Sequence, residues 1–419
     1  MIRNRDELLA GDDSGKRATA LALLEAGLHA VDPRRATLAA LERIRAGGRS
    51  LDRVTLLAFG KAAEPMVRAA LEVLEPARGL VVTLGAATFS GLEVVRASHP
   101  SAEEGALDAG RRAFALAESL SDEDTVVVLV SGGGSAMLES LLPGVPFDAF
   151  RALTDALRES GAAIDELNAV RMAFSAIKGG GLSEAFYPAR VINVVVSDVP
   201  GMAPWLVASG PTLPAEAGAK LPDVRAILER RGVGDLVTPE LLSALEREPP
   251  ERRWDHIVTE IAADSRTARD AMVESARALG LRALAYPRFL TGEARLAGSI
   301  FVRGSLRQPT DVIVASGETT VRVAGKGRGG RNQEFVLGAA PLVGEGVLAS
   351  MGTDGVDGSS PAAGALVDRT LLERAERKRL DRDAALENND SYSYFAAAGG
   401  TLLTGPTGTN VADICVYVR

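Results

Sequence analysis

Three stretches of the sequence combine cations or bare backbone with glycine in ways that suit an anion. Lys61 follows Leu56-Leu57-Ala58-Phe59-Gly60 directly and opens a helical stretch. A cation at a helix N-terminus opposes the helix dipole, so its placement asks for a bound anion, and a snorkelling surface lysine is the weaker alternative. Ser131-Gly132-Gly133-Gly134-Ser135 follows the apolar run Val126–Val130 and precedes Ala-Met-Leu-Glu-Ser-Leu-Leu, which reads as a helix start. Amides of side-chain-free residues can approach a phosphate closely, although a tight turn would serve the same residues equally well. Gly325-Lys326-Gly327-Arg328-Gly329-Gly330-Arg331 sets Lys326, Arg328 and Arg331 within six residues. Guanidinium forks recognise phosphate or carboxylate in a bidentate way. Asn332, Gln333 and Glu334 follow at once, which argues for an ordered loop over a hairpin tip.

Carboxylates occupy the remaining loops: Asp198, Glu318, Asp354, Asp357 and Asp413. Magnesium takes one or two carboxylates together with phosphate oxygens, and Asp198 and Asp354 are the first choices for that contact. Asp357, in an Asp-Gly pair, reads as a turn former. His29, His99 and His256 lie in unrelated contexts with no metal-ligand spacing, and the place of the Ser98-His99-Pro100 loop stays open. Glycines, cations and acidic loops together point to phosphoryl transfer, where catalysis is positioning and charge neutralisation.

The elements that must position these residues alternate. Apolar runs at VTLLAFG, TVVVLVS, VINVVVS and DVIVASG each end in a polar, glycine-bearing loop, and GVLASMG repeats the pattern. Amphipathic helical stretches lie between the first four, which is the order of a layered α/β fold with a mostly parallel sheet. Ligands of such sheets bind beyond the carboxyl ends of the strands, so all the loops are expected at one rim. The segment 230–256, rich in proline, arginine and glutamate, reads as the join between a domain over 1–240 and a second, α/β domain with a mixed sheet over 241–419.

Composition narrows the partners. A formal charge of −8 and no basic run with interleaved aromatics speak against nucleic acid. No stretch is apolar enough to span a bilayer and the N-terminal residues are charged, so a cytoplasmic protein is expected. Cys415 is the single cysteine, which excludes an internal disulfide and a cysteine zinc cluster.

LNAVRMAFSAIKGGGL, VVSDVPG with VASGPT, SGETTVRV, GRGGRNQEFVLGAA, GTDGVDGSSPAAGALVD and TGPTGTNVAD together resemble the class II glycerate kinases, the glycerate 2-kinases of the MOFRL-domain family. The resemblance covers nearly the whole chain. It implies a Rossmann-like N-terminal domain and ATP- and Mg2+-dependent phosphorylation of D-glycerate to 2-phosphoglycerate in an interdomain cleft, with Lys61 and Arg331 catalytic. It places Arg171, Lys178, Glu318, Lys326, Arg328 and Asn410 beside residues 131–135 in the binding set, and leaves a homodimer open. Met172-Ala173, Met202 and Ser101–Glu104 depart from the family pattern, which unsettles the finer substrate and metal contacts. The rival readings are an NAD(P)H-dependent hydroxypyruvate reductase, disfavoured by the absence of G-x-G-x-x-G after the first strand, and a non-catalytic sugar-phosphate sensor.

Overall fold

The computed structural model describes residues 1–11, 14–199, 203–214, 221–247 and 252–419. The chain forms two compact units, one of residues 33–262 and one of residues 1–32 with 263–419.

The first unit is built on a six-stranded sheet: β1 (Val54–Phe59), β2 (Arg78–Thr83), β3 (Glu93–Arg96), β4 (Thr125–Ser131), β5 (Arg190–Val196) and β6 (Ile257–Ala263), in the order β3-β2-β1-β4-β5-β6. β1 runs parallel to β2 and β4, β2 to β3, and β4 to β5. Continuous apolar runs are what a sheet covered on both faces requires, and every residue of β1 and β4 is buried. Phe59, Leu80, Val128, Val130, Leu182 and Phe186 share its core. Register sets the rim. Phe59 pairs with Val130 and Ser131 with Val196, so the chain leaves β1, β4 and β5 at nearly the same level. The helices Phe147–Glu159, Ile164–Phe174, Val224–Arg230 and Pro239–Leu245 close a smaller core around Phe150, Leu153, Phe174 and Leu241.

The second unit holds β7 (Ala283–Ala285), β8 (Val312–Gly317), β9 (Val347–Gly352), β10 (Gly364–Val367), β11 (Thr401–Leu402) and β12 (Asp413–Val418), in the order β11-β10-β9-β12-β8-β7. β12 is antiparallel to both β8 and β9, β10 is antiparallel to β9 and β11, and β7 is parallel to β8. The sheet is mixed, as expected. The fourth and fifth apolar runs belong to it, so their loops form a second rim and not the single one expected from the alternation.

The compact units also differ from a cut between residues 240 and 241. The helix Pro239–Leu245 packs within the first unit and β6 is the edge strand of its sheet. Residues 1–32 join the second unit instead. Arg17, 1% exposed, gives Nε and Nη2 to the Asp368 carboxylate at 2.5 and 2.8 Å and Nη1 to the Leu8 carbonyl at 2.9 Å. Gly27 lets the helix Lys16–Ala30 lie close to the helix Ser265–Ala278, since a Cβ there would stand 3.0 Å from Met272 Cγ. Among the described residues no helix is long and apolar enough to cross a membrane.

Candidate active site

At the rim of the parallel sheet the loops after β1 and β4 are bonded together. The Lys61 amide donates to the Gly132 carbonyl at 2.9 Å and the Ala62 amide to Ser131 Oγ at 3.0 Å. The glycine triplet admits neighbours. A Cβ at Gly132 would collide with the Asp198 carboxylate. One at Gly133, whose φ is +81°, would lie 2.9 Å from His99 Cδ2 and 3.0 Å from Lys61 Cγ. One at Gly134 would lie 2.7 Å from Phe59 Cδ2. The bare loop thus brings Lys61, His99 and Asp198 together over its backbone. The helix expected after it is a single turn, Gly134–Met137, and Leu138 is already extended. So short a helix has little dipole to offer a ligand.

The electrostatics at this rim are cationic around one imidazole. Arg171 donates through Nη1 to Ser135 Oγ at 2.8 Å. Arg158 reaches Ser101 Oγ at 3.2 Å and pairs with Asp155 at 2.9 Å, fastening the loop that carries His99. Partial burial of the ring and the charges of Lys61, Arg171 and Arg158 lower the His99 pKa to about 4, so the ring is neutral at physiological pH. Burial pushes the Asp198 carboxyl above its ordinary range, against the opposing charge of Lys61. Sequence reasoning left His99 open, since no local motif signals which loop its ring will face.

Lys178 behaves differently from the expected ligand contact. Its ammonium and the Glu139 carboxylate are both fully enclosed and bonded to each other. Glu139 also accepts from Ser175 Oγ at 2.5 Å and from the Ser140 amide at 3.0 Å. A buried charge needs a partner, and this pair supplies one beneath the rim. Lys178→Ala, which strands the Glu139 charge, is therefore expected to lower the unfolding free energy by about 3–5 kcal/mol. Urea titration measures it, and a loss below about 1 kcal/mol would mean that the pair contributes little.

The rim of the mixed sheet gathers the second set. Asp413, first in β12, pairs in register with Gly317 and Gly352, the last residues of β8 and β9, so Glu318 and Asp354 flank it. Arg331, first residue of the helix Arg331–Ala339, gives Nε and Nη2 to the two Asp413 oxygens at 2.6 and 2.9 Å, and its Nη1 is 3.6 Å from Glu318. Burial works against the Arg331 charge, but the bonds to Asp413 prevail and raise its pKa. Asp357 does take part in a turn with Ser360. It is also buried, and accepts from the Asn332 and Gln333 amides at 2.9 Å each, capping the Arg331 helix. Burial raises its pKa to about 6.

The basic loop ahead of Arg331 is seated on residues 388–392. The Lys326 amide donates to Asn388 Oδ1 at 3.1 Å and the Arg328 amide to Asp390 Oδ1 at 3.0 Å, while the Arg328 guanidinium lies over the Tyr392 ring at 5.0 Å. Both side chains are exposed. Asn410 accepts from the Ala412 amide at 3.2 Å, next to Asp413. Asp354 accepts from the Val356 amide at 3.0 Å. Among the described residues no three histidine, cysteine or acidic side chains share a metal-sized space. Asp198 and Asp354 each offer one carboxylate, which fits magnesium carried in on phosphate oxygens. Both Asp413 oxygens are engaged by Arg331 and Asn332, and its side chain is only 8% exposed, so it faces the protein more than a ligand. Met202 lies outside the described residues.

Residues 19–246 match the family described as "Domain of unknown function (DUF4147)" and residues 311–413 match the MOFRL family. The chain is 36% identical to the D-glycerate 2-kinase of Thermotoga maritima over 97% of its own length and 99% of that protein's. It is 32% identical to the glycerate 2-kinase of Pyrococcus horikoshii over 96% and 97%. The crystal structure of a glycerate kinase from Thermotoga maritima superposes with a TM-score of 0.85 at 34% identity, covering 96% of this chain and 98% of that one. With both domains matched and these relatives aligned almost end to end, the chain belongs to the glycerate kinase family that couples a DUF4147 domain to a MOFRL domain.

Proposed function

We propose that the protein phosphorylates D-glycerate at its 2-hydroxyl with ATP, giving 2-phospho-D-glycerate. The observation that carries this reading is the Lys61, His99 and Asp198 cluster over the glycine loop, in a chain matched end to end by glycerate 2-kinases. ATP with magnesium, when bound, supplies the γ-phosphoryl group and part of its charge neutralisation. Lys61 offers a point charge to the transferring group, and Arg331 a planar fork to phosphate or carboxylate. Arg171 and Ser135 extend the cationic wall, with Lys326 and Arg328 as further phosphate contacts. Glu318, beside Arg331, and Asn410, near Asp413, complete the proposed binding set. Asp198 is the first magnesium contact and Asp354 the second. The neutral His99 ring can exchange hydrogen bonds with a substrate hydroxyl without adding charge.

The loop after β1, Gly60-Lys61-Ala62, presents a lysine where a dinucleotide fingerprint would continue with glycines, which speaks against a nicotinamide enzyme. The cytoplasm, where ATP is held, is the proposed location, and a monomer or a homodimer would serve equally. The deciding assay couples ADP release to D-glycerate in the presence of Mg2+ and assigns the phosphorylated carbon by 31P NMR. ADP and 2-phosphoglycerate are expected in equal amounts. Hydroxypyruvate-dependent NAD(P)H oxidation without ADP release would establish the reductase, and tight sugar-phosphate binding without turnover the sensor.

A further inference from the structure

Arg331 is hydrogen-bonded along one edge and ion-paired to Glu318 through Nη1. Of its five N–H donors, one on Nε and one on Nη2 are spent on Asp413, while Nη1 faces Glu318 at 3.6 Å. The Arg331 side chain is 34% exposed and Asp413 only 8%, so the bonded edge faces the protein and the other edge, shared with exposed Glu318, faces outward. Asp413 is itself fixed. Asn332 Nδ2 donates to its Oδ1 at 2.9 Å, and Asn332 Oδ1 accepts from Ser350 Oγ on β9 at 2.6 Å. Asp413 also opens a strand hydrogen-bonded on both sides, by β8 and by β9.

We infer that Asp413 is a positioning residue, which aims the outer edge of the Arg331 guanidinium at the anionic group of the reaction. This rests on the proposed role of Arg331. An arginine side chain free to sample its rotamers loses much of what a fixed donor contributes, because an electrostatic stabiliser acts through being placed in advance. With both oxygens occupied, Asp413 acts through Arg331 and not on the substrate.

A double-mutant cycle tests this, since coupling appears as non-additivity. ADP release is measured for the parent, Asp413→Asn, Arg331→Ala and the double variant, with kcat and KM separated and melting followed in parallel. Asp413→Asn is expected to lower kcat by about tenfold and Arg331→Ala by about a hundredfold. The double variant should be no slower than Arg331→Ala alone. If Asp413→Asn does not accumulate as folded protein, Asp413→Ser takes its place in the cycle. Parental turnover in the Asp413 variant beside a crippled Arg331→Ala would overturn the inference and leave the reading of Arg331 standing. A double variant slower than Arg331→Ala by the full Asp413 factor would also overturn it, since Asp413 would then act independently. Parental turnover in Arg331→Ala would remove the reading and the inference together.

Discussion

Replacing Lys61 with alanine is expected to lower turnover by about a hundredfold or more, the cost of removing one electrostatic stabiliser from a reacting centre, with little change in melting temperature. The side chain is exposed and, among the described residues, no hydrogen bond from its ammonium holds another element, so its removal leaves the core intact. What it does touch is the rim. Its Cγ and Cε lie against Gly133, and its charge helps to hold the His99 pKa at about 4. Without that cation the His99 pKa should rise, because protonating the ring no longer sets two positive charges against each other. ADP-release kinetics, a thermal melt and NMR titration of the His99 ring separate the effects. Near-parental turnover in a normally folded variant would end the catalytic reading of Lys61.

Gly132→Ala is expected to act as an indirect loss of Asp198, lowering activity by a factor similar to that of Asp198→Asn while the fold persists. Unlike Gly133, Gly132 has no positive φ, so alanine meets no backbone strain there. The added methyl meets the Asp198 carboxylate, which can rotate away, and the rest of the loop is spared. If Asp198 contacts magnesium, both variants should need more Mg2+ for half-maximal rate. Magnesium titrations of the two variants beside the parent decide it. A Gly132→Ala enzyme with parental rate and magnesium dependence would show that the close approach of Asp198 is not needed.

The residues that could be read from sequence are those whose surroundings are local. Lys61 sits behind a strand and a glycine, and Arg331 behind a glycine pair, so their positions at strand-end and helix-start loops follow from a few neighbours. Five of the strands carry continuous apolar runs that name themselves. What escaped reading depends on distant partners. The Lys178 environment is made by Glu139, 39 positions earlier, and nothing in Ala176-Ile177-Lys178-Gly179 announces it. His99 gains its setting when its loop meets the glycine triplet. The helix expected beyond Ser135 stops after one turn, with Leu138 extended and Glu139 held in the buried pair, so distant contacts and not local propensity set its length. Residues 1–32 join the second unit through partners as distant as Arg17 and Asp368, 351 positions apart, and Gly27 and Met272.

The place of β12 bears on the order in which the protein is made. The first unit occupies one uninterrupted stretch, 33–262, and can close its sheet while later codons are still being translated. The second unit has no such freedom. β12 lies between β8 and β9 in the sheet, and it follows both of them in the chain. Until β12 is made, the helix Lys16–Ala30, far earlier in the chain, lacks the Ile414 side chain against which Gly27 packs, and Arg331 lacks its anchor. Seating of Arg331 is thereby tied to synthesis of β12, so a nascent chain can close the parallel-sheet unit before it carries Arg331 anchored on Asp413.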